Sequence, residues 1–301
     1  MFRAMLAVVL VATASGFHLV NGQEKKGNRG YPPTMEGAVV ETFKTVNGTK
    51  LNLYVFNPPG HKPADKRPAI VFFFGGGWTN GSPGQFEQHC RHLAERGMVA
   101  ITADYRVASR HQVKAVSCVA DAKSAIRYVR KEAARLGIDP NRIAAGGGSA
   151  GGHLAACTGI ITGFDESSED QAISSVPNAM ALFNPAVVLG RVEGLTPANE
   201  ERVNSLQDRM GVEPKSLSPF HNVKRGAPPT IVFHGKADTT VPYVTAEMFA
   251  KAMKDAGNRC ELMGYDGQSH GFFNHGRGKN EYYEKTVADL DRFLQSLGYI
   301  Q

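Results

Sequence analysis

The chain has 301 residues, 42% hydrophobic and 21% charged, which is enough apolar material to bury one domain's core and too much for a disordered chain. Its formal charge of +6 comes from lysines and arginines scattered singly or in pairs; no basic run is long enough to follow a phosphate backbone, so nucleic acid is not an expected partner. The four cysteines, Cys90, Cys118, Cys157 and Cys260, contain no C-x-x-C pair; this argues against a zinc knuckle or thioredoxin-type site and leaves three possible pairings should disulfides form.

Arg3, residues 4–14, apolar except for Thr13, and the small-x-small triplet Ala12-Thr13-Ala14 read as an export signal, with a second candidate cut after Gly22. The apolar stretch falls short of the roughly 20 residues a bilayer span needs. Residues 1–22 are therefore expected to be removed, with no stable membrane insertion and a mature chain that is secreted or periplasmic. Residues 23–33, rich in Lys, Gly, Asn and Pro, read as a linker before a domain over 34–301.

Two alternating runs, 38–45 and 50–56, flank Asn47-Gly48 and predict an antiparallel hairpin. After Pro68, short continuous apolar runs at 69–74, 99–103, 142–145, 179–183, 230–234 and 260–265 read as strands covered on both faces. Helical patterns lie between or after them at 84–96, 116–136, 151–161, 244–256 and 281–297. This alternation predicts an α/β fold, a doubly wound and mostly parallel sheet that opens with the hairpin. Residues 187–225 are too long for a simple connection, and with a helical stretch at 199–210 they are expected to form a small lid-like insertion.

The segment Gly147-Gly148-Ser149-Ala150-Gly151 fits G-x-S-x-G, directly after a strand pattern and directly before a helix pattern. A sharp strand-to-helix turn presents the serine as a nucleophile, and flanking glycines let strand and helix approach. Upstream, Gly75-Gly76-Gly77-Trp78 follows the most apolar strand. The amides of Gly76 and Gly77, with that of Ala150, are the expected donors to an oxyanion formed in acyl transfer. Trp78 is a candidate for stacking on a sugar or ferulate ring. Among ten histidines, His270 sits in a loop between the last strand and last helix, where this order of elements places a general base; His275 is the competitor. Asp238, in the loop after the strand at 230–234, would face that loop from the same sheet edge and is preferred as the orienting carboxylate over Asp266.

These residues resemble the α/β-hydrolase superfamily, in particular the small serine carboxylesterases akin to hormone-sensitive lipase and to bacterial acetyl xylan and feruloyl esterases. The resemblance covers residues 38–297. It extends to Asp104-Tyr105-Arg106, to Asp121-Ala122-Lys123, to the run from Gly137 to Ile143 and to Ser218-Pro219. It implies ester hydrolysis by Ser149, His270 and Asp238 without metal or organic cofactor, on a small-molecule or polysaccharide ester such as acetylated or feruloylated xylan. A prolyl-type peptidase and a non-catalytic carbohydrate-binding relative are the alternatives; oligomeric state is not legible. One position departs from the family: its oxyanion segment is commonly His-Gly-Gly-Gly, and Phe74 stands where the histidine would be.

Overall fold

In the computed structural model, which describes Met1 and residues 31–301, the first two strands meet at Asn47-Gly48. Both residues take positive φ, 49° and 76°, the left-handed pair that matches a two-residue hairpin turn to the twist of its strands. They join β1 (Val39–Val46) to β2 (Thr49–Phe56) in an antiparallel pair. The expected export signal and the linker as far as residue 30 lie outside the described residues, Met1 apart.

Strands β3 (Arg67–Phe73), β4 (Val99–Ala103), β5 (Ile138–Gly148), β6 (Ala179–Phe183), β7 (Thr230–Gly235) and β8 (Cys260–Tyr265) complete one eight-stranded sheet in the order β1-β2-β4-β3-β5-β6-β7-β8. β2 runs antiparallel to β4, and every pair from β4 to β8 is parallel. This is the expected mostly parallel, doubly wound α/β-hydrolase fold. The helices are α1 (Glu87–Glu95), α2 (Ala108–His111), α3 (Ala115–Lys131), α4 (Ala150–Ile160), α5 (Pro197–Asn204), α6 (Tyr243–Asp255) and α7 (Glu281–Ser296). Side chains alternate across β3: Ala69, Val71 and Phe73 enter one core layer with α3, α4 and α6, and Ile70 and Phe72 enter the other with α1 and α7. Both faces of the central strands are thus covered, which explains their continuous apolar runs.

Three details differ from the sequence reading. β5 is longer than residues 142–145 and runs without a break to the serine turn. The helix expected at 199–210 is α5, which ends at Asn204 and gives way to a 3-10 turn at Gln207–Arg209; there Ser205 Oγ turns back to donate to the Arg202 carbonyl. Residues 162–178 form neither helix nor strand and are pinned by α3. Lys123, though buried, donates to the carbonyls of Ile161 and Gly163 and to Asp165, and Arg127 bridges Asp165 and Glu169. All four cysteines are buried and unpaired. Among the described residues no helix is long and apolar enough to cross a membrane.

Candidate active site

β5 ends at Gly148 and α4 begins at Ala150, so Ser149 alone makes the turn. Its φ of 55° and ψ of −118° are sparsely populated for a residue with a side chain and cost on the order of 1–3 kcal/mol. The neighbours leave no slower path for the chain: a Cβ on Gly147 would lie 2.3 Å from the Gly151 carbonyl oxygen, and one on Gly151 only 2.0 Å from that of Phe73. Those two glycines of the motif therefore follow from the close approach of β5, α4 and β3.

Ser149, His270 and Asp238 are brought together from three loops at the carboxyl edge of the sheet. Ser149 Oγ lies 2.9 Å from His270 Nε2, and His270 Nδ1 lies 2.7 Å from Asp238 Oδ2. The direction that satisfies both contacts has the serine hydroxyl donating to Nε2 and the Nδ1–H donating to the carboxylate. The other Asp238 oxygen accepts the backbone N–H groups of Thr240 and Val241 at 2.8 and 2.9 Å. Burial alone would raise this carboxyl, but the histidines His234 and His270 and the Val241 amide outweigh it and hold Asp238 well below the usual carboxylate range. Asp238 is thus ready to orient an imidazole and to balance its positive charge. The competitors are elsewhere: Asp266 pairs with Lys236 in solvent, and His275 packs edge-on against Tyr283.

Sequence reasoning missed two supports. His234, fully buried at the end of β7, donates from Nε2 to the Val241 carbonyl at 2.9 Å and lies 3.3 Å from Asp238 Oδ2. Asn184, just past β6 and also buried, accepts the Gly271 N–H at 2.9 Å and so fixes the residue after His270. The signal for His234 was its place four residues before Asp238; for Asn184 there was none.

The glycine turn after β3 stands beside the serine. Gly76, Gly77, Ala150, Ser149 and His270 all line one cleft of about 540 Å³. Gly76 and Gly77 have φ of 130° and 61°, and the Gly76 carbonyl is turned away to accept the amides of Thr79 and Asn80. Gln85 Oε1 accepts the Gly75 N–H at 2.6 Å while its Nε2 donates to Asn274 at 2.9 Å, which links this turn to the His270 loop. Phe74 is stacked on Tyr105, so apolar packing holds the position where the resembling enzymes carry histidine. Trp78 also lines the cleft, but it is 2% exposed and its indole turns inward to donate to His153 Nδ1 at 3.2 Å. Little of its ring is left open for stacking on a sugar. Residues 187–225 do reach the cleft, through Leu206 and Arg209. Among the described residues no group of three or more His, Cys, Asp or Glu side chains is placed to hold a metal ion.

The arrangement can activate a hydroxyl beside a carbonyl: a serine hydrogen-bonded to an imidazole, a buried carboxylate behind it, and main-chain amides of small residues alongside.

Comparison with known proteins bears on the fold and the family. The BD-FAE family model matches residues 53–253. The apo form of Thermogutta terrifontis esterase 2 superposes with a TM-score of 0.85 at 55% identity, covering 90% of this chain and 98% of that one. Its propionate-bound form gives 0.84 at 56% identity with the same coverage. The probable isoprenylcysteine alpha-carbonyl methylesterase ICME of Oryza sativa subsp. japonica is 32% identical over 233 residues, 73% of this chain and 55% of the relative. Esterase LipC of Mycobacterium tuberculosis is 32% identical over 227 residues, 70% of this chain and 54% of the relative. The chain spans about half the length of these curated relatives.

Proposed function

The chain belongs to the BD-FAE family of α/β-hydrolase-fold esterases, and from that premise we propose that it hydrolyses carboxylic esters through an acyl-enzyme on Ser149. The observation that carries the proposal is the continuous hydrogen-bonded path from Ser149 Oγ through His270 to buried Asp238, beside the glycine turn. Ser149 Oγ attacks the acyl carbon as His270 Nε2 takes its proton, and Asp238 keeps Nδ1–H in place and offsets the imidazolium charge. The amides of Gly76, Gly77 and Ala150 receive the oxyanion. The proton then passes from His270 to the departing alkoxide, and water activated by the same imidazole releases the acid.

For the substrate we propose a short acyl group, acetyl before feruloyl, on extracellular polysaccharide of the xylan type. Two observations support a short acyl group. The cleft is modest and is walled on one side by Leu206 and Arg209, and the Thermogutta enzyme has structures with propionate and butyrate bound. The buried Trp78 withdraws the aromatic platform that would have favoured ferulate. An extracellular place of action is supported by the signal-like residues 1–22.

The test combines 4-nitrophenyl esters of increasing acyl length, acetylated and feruloylated xylan, a long-chain triacylglycerol, short peptide amides and the Ser149→Ala variant. Acetate release and short-chain preference, lost in the variant, are expected. A Ser149→Ala protein that stays active, or a fluorophosphonate that labels another residue, would overturn the nucleophile. Release of amine from the peptides in place of alcohol from the esters would move the reaction to peptide hydrolysis. Vigorous triacylglycerol cleavage with no acetate release would overturn the polysaccharide assignment.

A further inference from the structure

His153 lies one helical turn beyond Ser149 on α4, is fully buried, and takes no part in the hydrogen-bonded path to Asp238. Its ring instead joins two separate parts of the site, and its backbone ties it to a third. Nδ1 accepts the indole N–H of Trp78 at 3.2 Å, with the two rings edge-on at 89° and centroids 5.1 Å apart. Nε2 donates to the carbonyl of Leu217, in the 187–225 insertion, at 2.8 Å. The backbone N–H of His153 donates to the Ser149 carbonyl at 2.9 Å.

Indole N–H is only a donor and a carbonyl only an acceptor, so one form of the imidazole satisfies both: neutral, with its proton on Nε2. A proton added at Nδ1 would set N–H against N–H inside the core. Burial pushes this imidazole down to about 4, which keeps the neutral form at neutral pH. Its ionisable neighbour on α4, Cys157 with Sγ 3.2 Å from Nε2, has its own thiol pushed up by burial and stays protonated.

Trp78 directly follows Gly76 and Gly77, the glycines proposed to receive the oxyanion, and its own φ is 59°. A bulky residue holds a left-handed conformation only where the surroundings over-determine it. The Trp78 carbonyl accepts the Ala108 amide at 2.9 Å, which fixes the main chain on the α2 side; the indole contact fixes it on the α4 side.

We infer that His153 is a positioning residue for the oxyanion turn: locked in one tautomer, it holds Trp78, and through it Gly76 and Gly77, against both the nucleophile helix and the insertion. The inference rests on the ester-hydrolase reading above. Because the oxyanion exists only after attack, loosening the turn weakens the transition state and leaves substrate binding nearly untouched. The cost should therefore fall on kcat and not on KM.

The test uses the whole chain with His153→Ala, His153→Gln and Trp78→Phe. Glutamine supplies an amide N–H for Leu217 and an oxygen for the indole; phenylalanine keeps an aromatic ring and removes the N–H. Hydrolysis of 4-nitrophenyl acetate is followed beside inhibition by a trifluoromethyl ketone, which forms an oxyanion on the serine. Trp78 is the sole tryptophan of the chain, so its emission reads this position alone. With His153→Ala and Trp78→Phe, kcat should fall by roughly 10- to 100-fold with KM within about 3-fold, and the ketone should weaken in parallel. His153→Gln should recover most of both and return the tryptophan emission that His153→Ala shifts. Parent-like kcat in His153→Ala and Trp78→Phe, or a loss confined to KM with unchanged ketone affinity, overturns the positioning role while the hydrolase reading stands. A parent protein without ester turnover, indistinguishable from Ser149→Ala, sinks both.

Discussion

Tyr105 holds Phe74 twice: their rings stack with centroids 4.1 Å apart and 17° between planes, and the Tyr105 hydroxyl donates to the carbonyl of Phe74 at 2.7 Å. Side chain and main chain of the residue leading into the glycine turn are thus fixed by one partner, where the resembling enzymes have a histidine. Tyr105→Phe keeps the stacking and deletes the hydroxyl, leaving a buried carbonyl unpaired at a cost of about 1–3 kcal/mol. We expect a lower melting temperature, by roughly 2–6 °C, and kcat for short esters reduced by about 3- to 10-fold as the turn gains freedom. Unchanged melting and turnover would show that stacking alone holds Phe74.

Asp238 should show graded dependence on the imidazole behind it. Asp238→Asn offers His270 an amide in place of a charge and should cost on the order of 10²- to 10⁴-fold in kcat, because the base is then held in the wrong tautomer. His234→Ala leaves Asp238 and His270 in place but removes a donor beside the carboxylate and leaves the Val241 carbonyl unpaired. Its expected loss is smaller, roughly 5- to 30-fold, with little change in KM. Steady-state kinetics of the two variants decide the order; His234→Ala as slow as Asp238→Asn would place His234 in the chemistry itself.

Selectivity should respond to single residues of the segment 187–225 and not to its wholesale exchange. Val187, Leu189, Val203, Met210 and Leu217 are buried in the main core, so replacing all of 187–225 would unpack the domain. Leu206 is half-buried and lines the cleft. Leu206→Ala should widen that wall and raise kcat/KM for hexanoate relative to acetate by about 3- to 10-fold, with melting nearly unchanged. The same acyl-length profile in parent and variant would place the acyl group against another wall.

Where local chemistry decided the structure, the sequence was legible. Asn47-Gly48 could satisfy only one kind of hairpin turn, and Ser149 stood between a strand pattern and a helix pattern that forced the turn there. Asp238 and His270 were readable because each lies in a loop that must reach the carboxyl edge of a parallel sheet. The inward turn of Trp78 was not legible because it depends on His153, 75 positions away in sequence and visible only after α4 packs against the turn. Asn184 and His234 were missed because each lies at the end of an apolar strand, where a polar residue reads as the start of a loop. Residues 162–178 gave no signal because their order comes from charged side chains of α3, not from their own periodicity.

Acid should unfold this protein through its buried histidines. His89 is enclosed by Phe72, Phe86, Phe183, Phe273 and Tyr283, and neither ring nitrogen has a hydrogen-bond partner among the described residues. Burial pushes its imidazole down from 6.5 to about 3, with small contributions from His92 and His275, and burial pushes His153 down to about 4. Between those values and 6.5 the unfolded chain binds protons that the folded chain refuses, so folding stability rises with pH across that window. It is fully present above the unfolded value and is lost as the pH falls toward 4 for His153 and toward 3 for His89. Each histidine contributes a slope of about 1.4 kcal/mol per pH unit, so the pair should remove roughly 2–3 kcal/mol for each unit of acidification below about pH 6. His89→Phe fits an aromatic side chain into an aromatic enclosure and removes one of the two protonation sites. Urea unfolding at pH 7 and pH 5 should give a variant at least as stable as the parent at neutral pH and with about half its loss on acidification. An unaltered acid slope would show that His89 is already protonated, or reaches water, in the folded protein.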